Sequence, residues 1–160
     1  MEVQCPKKWL DDAKLSPKTT RSPRFDLVVY SSEDKSIGIV ELKVDNENCQ
    51  NLLGHYEHMC HIASKKEFVN EMIRRTEILK KYKVIDTDIS IASDKKVWFG
   101  YLFVGGDEND SRNKIKKELG SIKDISSDCK FLYVKDVASL KKTGLIYKKM
   151  QSFDEFTNGF

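Results

Sequence analysis

Two apolar runs with charges inside them constrain this chain more than any other feature. Arg24-Phe25-Asp26-Leu27-Val28-Val29-Tyr30 is followed, after a short polar stretch, by Ile37-Gly38-Ile39-Val40-Glu41-Leu42-Lys43. Both runs have the β-branched and aromatic composition of strands. The connection Ser31-Ser32-Glu33-Asp34-Lys35-Ser36 is too short for a crossover, so strands over 25–31 and 37–44 are expected to form an antiparallel hairpin. Charged side chains in such segments cost free energy unless something pairs with them. Alternation puts Glu41 and Lys43 on one face of the second strand, and Val40 and Leu42 on the other, toward a core. Asp26 opens the partner strand, where it can lie beside Glu41.

The rest of the chain supplies helices and further strands. Asp45 or Asn46 can cap a helix that carries Leu52, Leu53, Tyr56, Met59, Cys60 and Ala63 on one face. Ser64-Lys65-Lys66-Glu67 has the spacing of a capping box and opens a second helix, with Phe68, Met72 and Leu79 inward. Residues 84–91 alternate weakly, as a strand or an irregular connection. Val97-Trp98-Phe99-Gly100-Tyr101-Leu102-Phe103-Val104 is continuously apolar and reads as a strand buried on both faces, in mid-sheet. That context makes Trp98, Phe99 and Tyr101 core residues and not a stacking platform. A polar helix over about 110–120, a strand at Phe131-Leu132-Tyr133-Val134 and a short strand near Leu145-Ile146-Tyr147 complete the pattern. The expected fold is α/β, a mixed central sheet flanked by helices.

A length of 160 residues fits one domain. We divide it into an irregular segment over 1–24, which holds Pro6, Pro17, Pro23 and a short helix around Trp9-Leu10, a core over 25–104, and a completion of the sheet over 105–160. The net charge of +3 conceals basic pairs: Lys7-Lys8, Arg74-Arg75, Lys80-Lys81, Lys95-Lys96, Lys116-Lys117, Lys141-Lys142 and Lys148-Lys149. Pairs that shared a face would bind a polyanion with a strong salt dependence, whereas pairs balanced by nearby acids form an ordinary solvated surface. Cys5, Cys49, Cys60 and Cys129 have neither CxxC spacing nor the density of a disulfide scaffold, which leads us to expect free thiols in a reducing cytoplasm. No stretch approaches the length of a membrane span. Gly105-Gly106 precedes Asp107-Glu108, which repels phosphate, so it marks a turn and not a nucleotide loop.

Two carboxylates and a backbone carbonyl offer oxygen ligands to a hard cation, and Mg²⁺ keeps several waters in such a site. A lysine beside them can orient or deprotonate a water, or face charge that builds on a phosphoryl group. The triplet Glu41-Leu42-Lys43 is one of five acid-x-Lys triplets in the chain. It alone ends a strand-like run, follows a second run with its own acid, and leads into an amphipathic helix. The plain alternative is a salt bridge between Glu41 and Lys43 on a half-exposed strand.

With Phe-Asp-Leu-Val-Val-Tyr around Asp26 and Ile-Val-Glu-Leu-Lys ending in Lys43, residues 24–62 resemble the PD-(D/E)xK nuclease superfamily. The resemblance implies a restriction-endonuclease-like core, Mg²⁺ (or Mn²⁺) held by Asp26, Glu41 and the Leu42 carbonyl, and Lys43 acting on the attacking water. Many members carry a polar residue on the helix after the motif, a place taken here by Gln50, with Asn51 as the alternative. Many also carry a glutamate upstream of the aspartate; Glu2 is the sole upstream glutamate here, and Asp11 and Asp12 are the substitutes.

Around this centre, Arg21, Arg24, Asn51 and His55 are candidates for nucleic-acid contact. Arg21 and Arg24 can grip phosphates or cover the strand end. His55, His58 and His61 recur every three residues on a helix, a spacing that drifts around the axis, so a zinc site would need partners from elsewhere. The expected function is metal-dependent hydrolysis of phosphodiesters, with DNA favoured over RNA. The alternatives are a non-cleaving module of the same fold, for which the missing upstream glutamate and the small size speak, and an RNA-cleaving toxin. A homodimer would address both strands of a duplex.

Overall fold

The structure, a computed structural model, describes residues 3–4, 24–31, 36–46, 51–83, 96–142 and 149–158. Within them the chain runs β1 (Val3–Gln4), β2 (Arg24–Phe25), β3 (Leu27–Ser31), β4 (Ser36–Val44), α1 (Leu52–Ala63), α2 (Lys66–Lys81), β5 (Lys96–Val104), α3 (Glu108–Leu119), β6 (Cys129–Val134), α4 (Val137–Lys142) and α5 (Phe153–Thr157). The expected strands over 84–91 and near Leu145, and the helix around Trp9, lie outside the described residues.

The α/β architecture is as expected from the pattern: a four-stranded mixed sheet of order β3-β4-β5-β6, with helices against it. The hairpin is antiparallel, with Leu27 opposite Val40 and Tyr30 opposite Ile37. β4, β5 and β6 are parallel, and Glu41 stands opposite Tyr101 and Lys43 opposite Phe103. The first apolar run is not one strand. It bends at Asp26, and Arg24–Phe25 pairs instead with Val3–Gln4, so the segment over 1–24, expected to be irregular, contributes a short strand.

Alternation along β4 and β5 divides the core in two. Ile37, Ile39, Phe99, Tyr101 and Phe103 pack with Leu52, Tyr56, Met59 and Ile62 of α1 and with Phe131 and Phe156. On the opposite face Val40, Trp98, Leu102, Val104, Leu132 and Val134 gather, with Leu27, Val29 and Leu42 partly buried among them. Stacked rings of Tyr101, Phe131, Phe156 and Phe103 run across the first face at centroid separations of 5.4–5.8 Å. Such offset rings add to the area they bury.

Two helix starts differ from expectation. Asp45 and Asn46 do not cap α1; both adopt left-handed backbone, at φ 51° and 60°. They form a tight turn in which Asn46 Oδ1 accepts the Asp107 N–H at 2.6 Å and Asn46 Nδ2 donates to Ser111 Oγ at 2.8 Å. Gly105 and Gly106, at φ +74° and +67°, make room for it: a Cβ at Gly105 would fall 2.2 Å from the Asp45 carboxylate, and one at Gly106 2.0 Å from Asn46 Oδ1. The turn therefore ties the end of β4 to the start of α3. Ser64 does not complete a capping box either. Its hydroxyl donates back to the His61 carbonyl at 2.7 Å, closing α1, and Lys65 is the N-cap of α2. A true capping box stands at Ser152 and Glu155 instead.

Candidate active site

The geometry is set by where the hairpin register stops. The last β3–β4 pair toward this end of β4 is Leu27 with Val40; at the next step the chain bends and Asp26 replaces a strand partner with its side chain. Asp26 Oδ2 accepts the backbone N–H of Leu42 at 2.8 Å. In a strand the N–H and C=O of one residue face the same neighbour. The Leu42 carbonyl therefore points to the edge where the Asp26 carboxylate sits.

Glu41 and Lys43 are buried, at 8% and 5% exposure. These values remove the plain alternative of a half-exposed surface ion pair. Burying such groups costs several kcal/mol per ion without compensation, so a fold that needed only a core would have apolar residues here. Burial, and next the charge of Asp26, push the Glu41 carboxyl up to about 7, with Lys43 opposing and a hydrogen bond to Asp26 adding to the rise. The Glu41 carboxyl thus keeps its proton toward neutral pH, as expected of a buried acid beside a second carboxylate.

α1 closes the site from above. It starts at Leu52, whose carbonyl accepts the hydroxyl of buried Tyr101 at 2.5 Å. Asn51 precedes it in left-handed backbone at φ 57°, with no side-chain cap hydrogen bond. The Asn51 amide folds back over Gly54, where a Cβ would meet Oδ1 at 2.4 Å. One helical turn further on, His55 faces the charges. Its Nδ1 lies 3.5 Å from Lys43 Nζ and 3.9 Å from Glu41 Oε2. Burial, then Lys43 and His58, lower the His55 imidazole to about 4, so it is neutral at pH 7 and its contact with Glu41 is not an ion pair.

The structure thus brings Asp26, Glu41, Lys43 and His55 together. Asn51 is exposed at the helix start above them, and Arg24 lies in β2 two residues before Asp26. Arg21, Gln50, Glu2, Asp11 and Asp12 lie outside the described residues. Sequence reading missed Tyr101 as the residue that fixes α1, because a hydroxyl within an apolar run gives no sign of its partner. His55, a candidate for phosphate contact, stands on the face of α1 that meets Lys43 and Glu41, as its place three residues on from buried Leu52 indicates.

As a cation site the edge offers two carboxylates and one carbonyl, a hard-oxygen set of the size Mg²⁺ or Mn²⁺ uses when waters fill the remaining positions. The raised Glu41 is the observation that fits such an ion, whose charge would replace the Glu41 proton. Among the described residues no group of three or more His, Cys, Asp and Glu side chains is placed to hold a metal, so the spacing of His55, His58 and His61 does not assemble a zinc centre there. Arg74 and Arg75 both bind Glu71, at 2.7 and 2.9 Å, and Lys80 binds Glu77 at 3.2 Å, which neutralises much of that basic surface; Lys116 and Lys117 are exposed on α3. Cys60 and Cys129 are free thiols. Among the described residues no helix is long and apolar enough to cross a membrane.

No protein-family model, curated protein or solved structure matches this chain.

Proposed function

We propose that this chain is a divalent-cation-dependent nuclease that hydrolyses phosphodiester bonds in DNA, with a restriction-endonuclease-like core of the PD-(D/E)xK kind. One observation carries the reading. A bend in the chain, the end of a central strand and a covering helix converge to hold Asp26, buried Glu41 and buried Lys43 at one edge, where packing alone would favour apolar residues. The antiparallel hairpin leading into parallel β4, β5 and β6 supports the finer fold.

In this reading Asp26 and Glu41 hold the cation together with the Leu42 carbonyl, and Leu42 N–H keeps the Asp26 carboxylate turned to the edge. When bound, such an ion would supply charge stabilisation to phosphoryl oxygens and acidify a nearby water, with Glu41 holding it as the carboxylate. Lys43 donates hydrogen bonds to that water and sets its line of attack, while its positive charge faces the charge that builds on the phosphoryl group. Arg21, Arg24, Gln50 and Asn51 are the nearest candidates in sequence to contact the nucleic-acid strand. A two-fold pair of copies would reach both strands of a duplex.

Supercoiled plasmid, single-stranded DNA and RNA incubated with Mg²⁺, Mn²⁺ or EDTA test this reading. We expect Mg²⁺-dependent cutting of DNA that EDTA stops. Asp26→Asn and Lys43→Met should each lower the rate on the order of a thousandfold with secondary structure intact. Wild-type protein that cuts nothing would identify a non-cleaving module; cutting of RNA alone would move the substrate; cutting unaffected by both substitutions would exclude this site.

A further inference from the structure

We infer that His55 is a positioning residue: its Nδ1 accepts a hydrogen bond from Lys43 Nζ and holds that lysine at the reacting edge. This rests on the nuclease reading above for its purpose, but the contact itself does not. Lys43 enters from β4 with its amine buried, and a long, flexible side chain must be fixed at its tip if it is to orient a water. Nδ1 of His55, across from β4 on α1, lies 3.5 Å from Nζ. An ammonium has three donors and no acceptor, so the acceptor is the imidazole and its proton sits on Nε2. Glu41 Oε2, 3.9 Å from the same Nδ1, flanks the contact. Tyr101 anchors the first residue of α1 to β5, which fixes where His55 can reach.

Two measurements on the full chain decide this. The first needs no catalysis. ¹⁵N NMR of the protein at neutral pH without added metal should show His55 as the Nε2–H tautomer, with an Nδ1 signal that moves in Lys43→Met. An Nδ1–H tautomer, or an Nδ1 signal indifferent to that substitution, overturns the inference. The second uses cleavage. His55→Asn keeps an acceptor close to the position of Nδ1, whereas His55→Leu keeps the volume and removes the acceptor. We expect His55→Leu to lower kcat on the order of 10- to 100-fold with KM nearly unchanged, and His55→Asn to restore most of the loss. A loss carried by KM would assign His55 to substrate binding, and equal losses in both variants would make its role structural; each overturns the inference. If His55→Leu does not fold, the kcat of His55→Asn and the NMR result still decide. Wild-type protein that cleaves no substrate would fail the nuclease reading and end the catalytic purpose, while the tautomer still decides the contact.

Discussion

β4 and β5 are neighbouring nine-residue strands, parallel and in register, and both are buried. Over most of their length they answer the same demand in the same way: Ile37 and Ile39 against Val97 and Phe99 on one face, Val40 and Leu42 against Gly100 and Leu102 on the other. They part at the last two positions on the α1 face. β5 has Tyr101 and Phe103, stacked in the ring of aromatics, and β4 has Glu41 and Lys43. The sheet, the burial and the covering helix are shared, so the fold does not require charge there. What differs is the edge each strand faces. Tyr101 and Phe103 have β6 beyond them with its own rings, whereas Glu41 and Lys43 lie where β3 has ended and the Asp26 carboxylate takes the place of a strand. Two adjacent strands thus separate a position used for stability from one held against stability.

Substitutions at this end of the two strands should move stability in opposite directions. Phe103→Ala, which opens a cavity among the stacked rings, should cost about 3–5 kcal/mol in denaturant unfolding. Glu41→Gln at the corresponding end of β4 should stabilise the metal-free protein, and the sign follows from its protons. Its carboxyl is raised from 4.5 to about 7, so the folded chain holds that proton more tightly than the unfolded one. The contribution of Glu41 is therefore complete below pH 4.5 and is lost as pH rises through about 7, amounting to about 3 kcal/mol at the upper end. Thermal unfolding without divalent cations should show wild type and Glu41→Gln alike at pH 4.5 and the variant ahead at pH 8. A Glu41→Gln protein that is less stable at pH 8 would mean that the carboxylate serves the fold, and the contrast between the strands would fail. The smallest effect is expected at Tyr101→Phe, which keeps the ring and removes only the hydroxyl's hydrogen bond to the Leu52 carbonyl, at about 1 kcal/mol. Hydrogen exchange in the first turn of α1 should rise with it; unchanged exchange would show that packing alone places the helix.

The parts legible in the sequence were those that local pattern decides. The apolar run of β5 announced a central strand, the short polar connection announced the hairpin, and alternation put Glu41 and Lys43 on one face with Asp26 near. The Gly105-Gly106 turn was equally plain from its two glycines. The starts of the helices were not, because Asp45, Asn46 and Ser64 can bond to several backbone groups, and tertiary contacts chose among them. Asn46 found Asp107 and Ser111, sixty residues away in sequence and more, in place of a helix N-terminus. The helix repeat gives the face on which His55 lies, but its approach to Lys43 could not be read, because the depth of Lys43 beneath it is a property of the packed sheet. The pairing of Val3–Gln4 with Arg24–Phe25 joins segments that no local pattern connects.

The central claim is that the edge formed by Asp26 and Glu41 is a cation site, and calorimetric titration with Mn²⁺ at pH 6.5 tests it most directly. Run in two buffers of different ionisation heat, the titration should show one ion bound with release of about one proton, since Glu41 titrates near 7 without the ion. Asp26→Asn should abolish the binding. Absence of binding by the wild type, or binding that releases no proton and survives Asp26→Asn, would contradict the account.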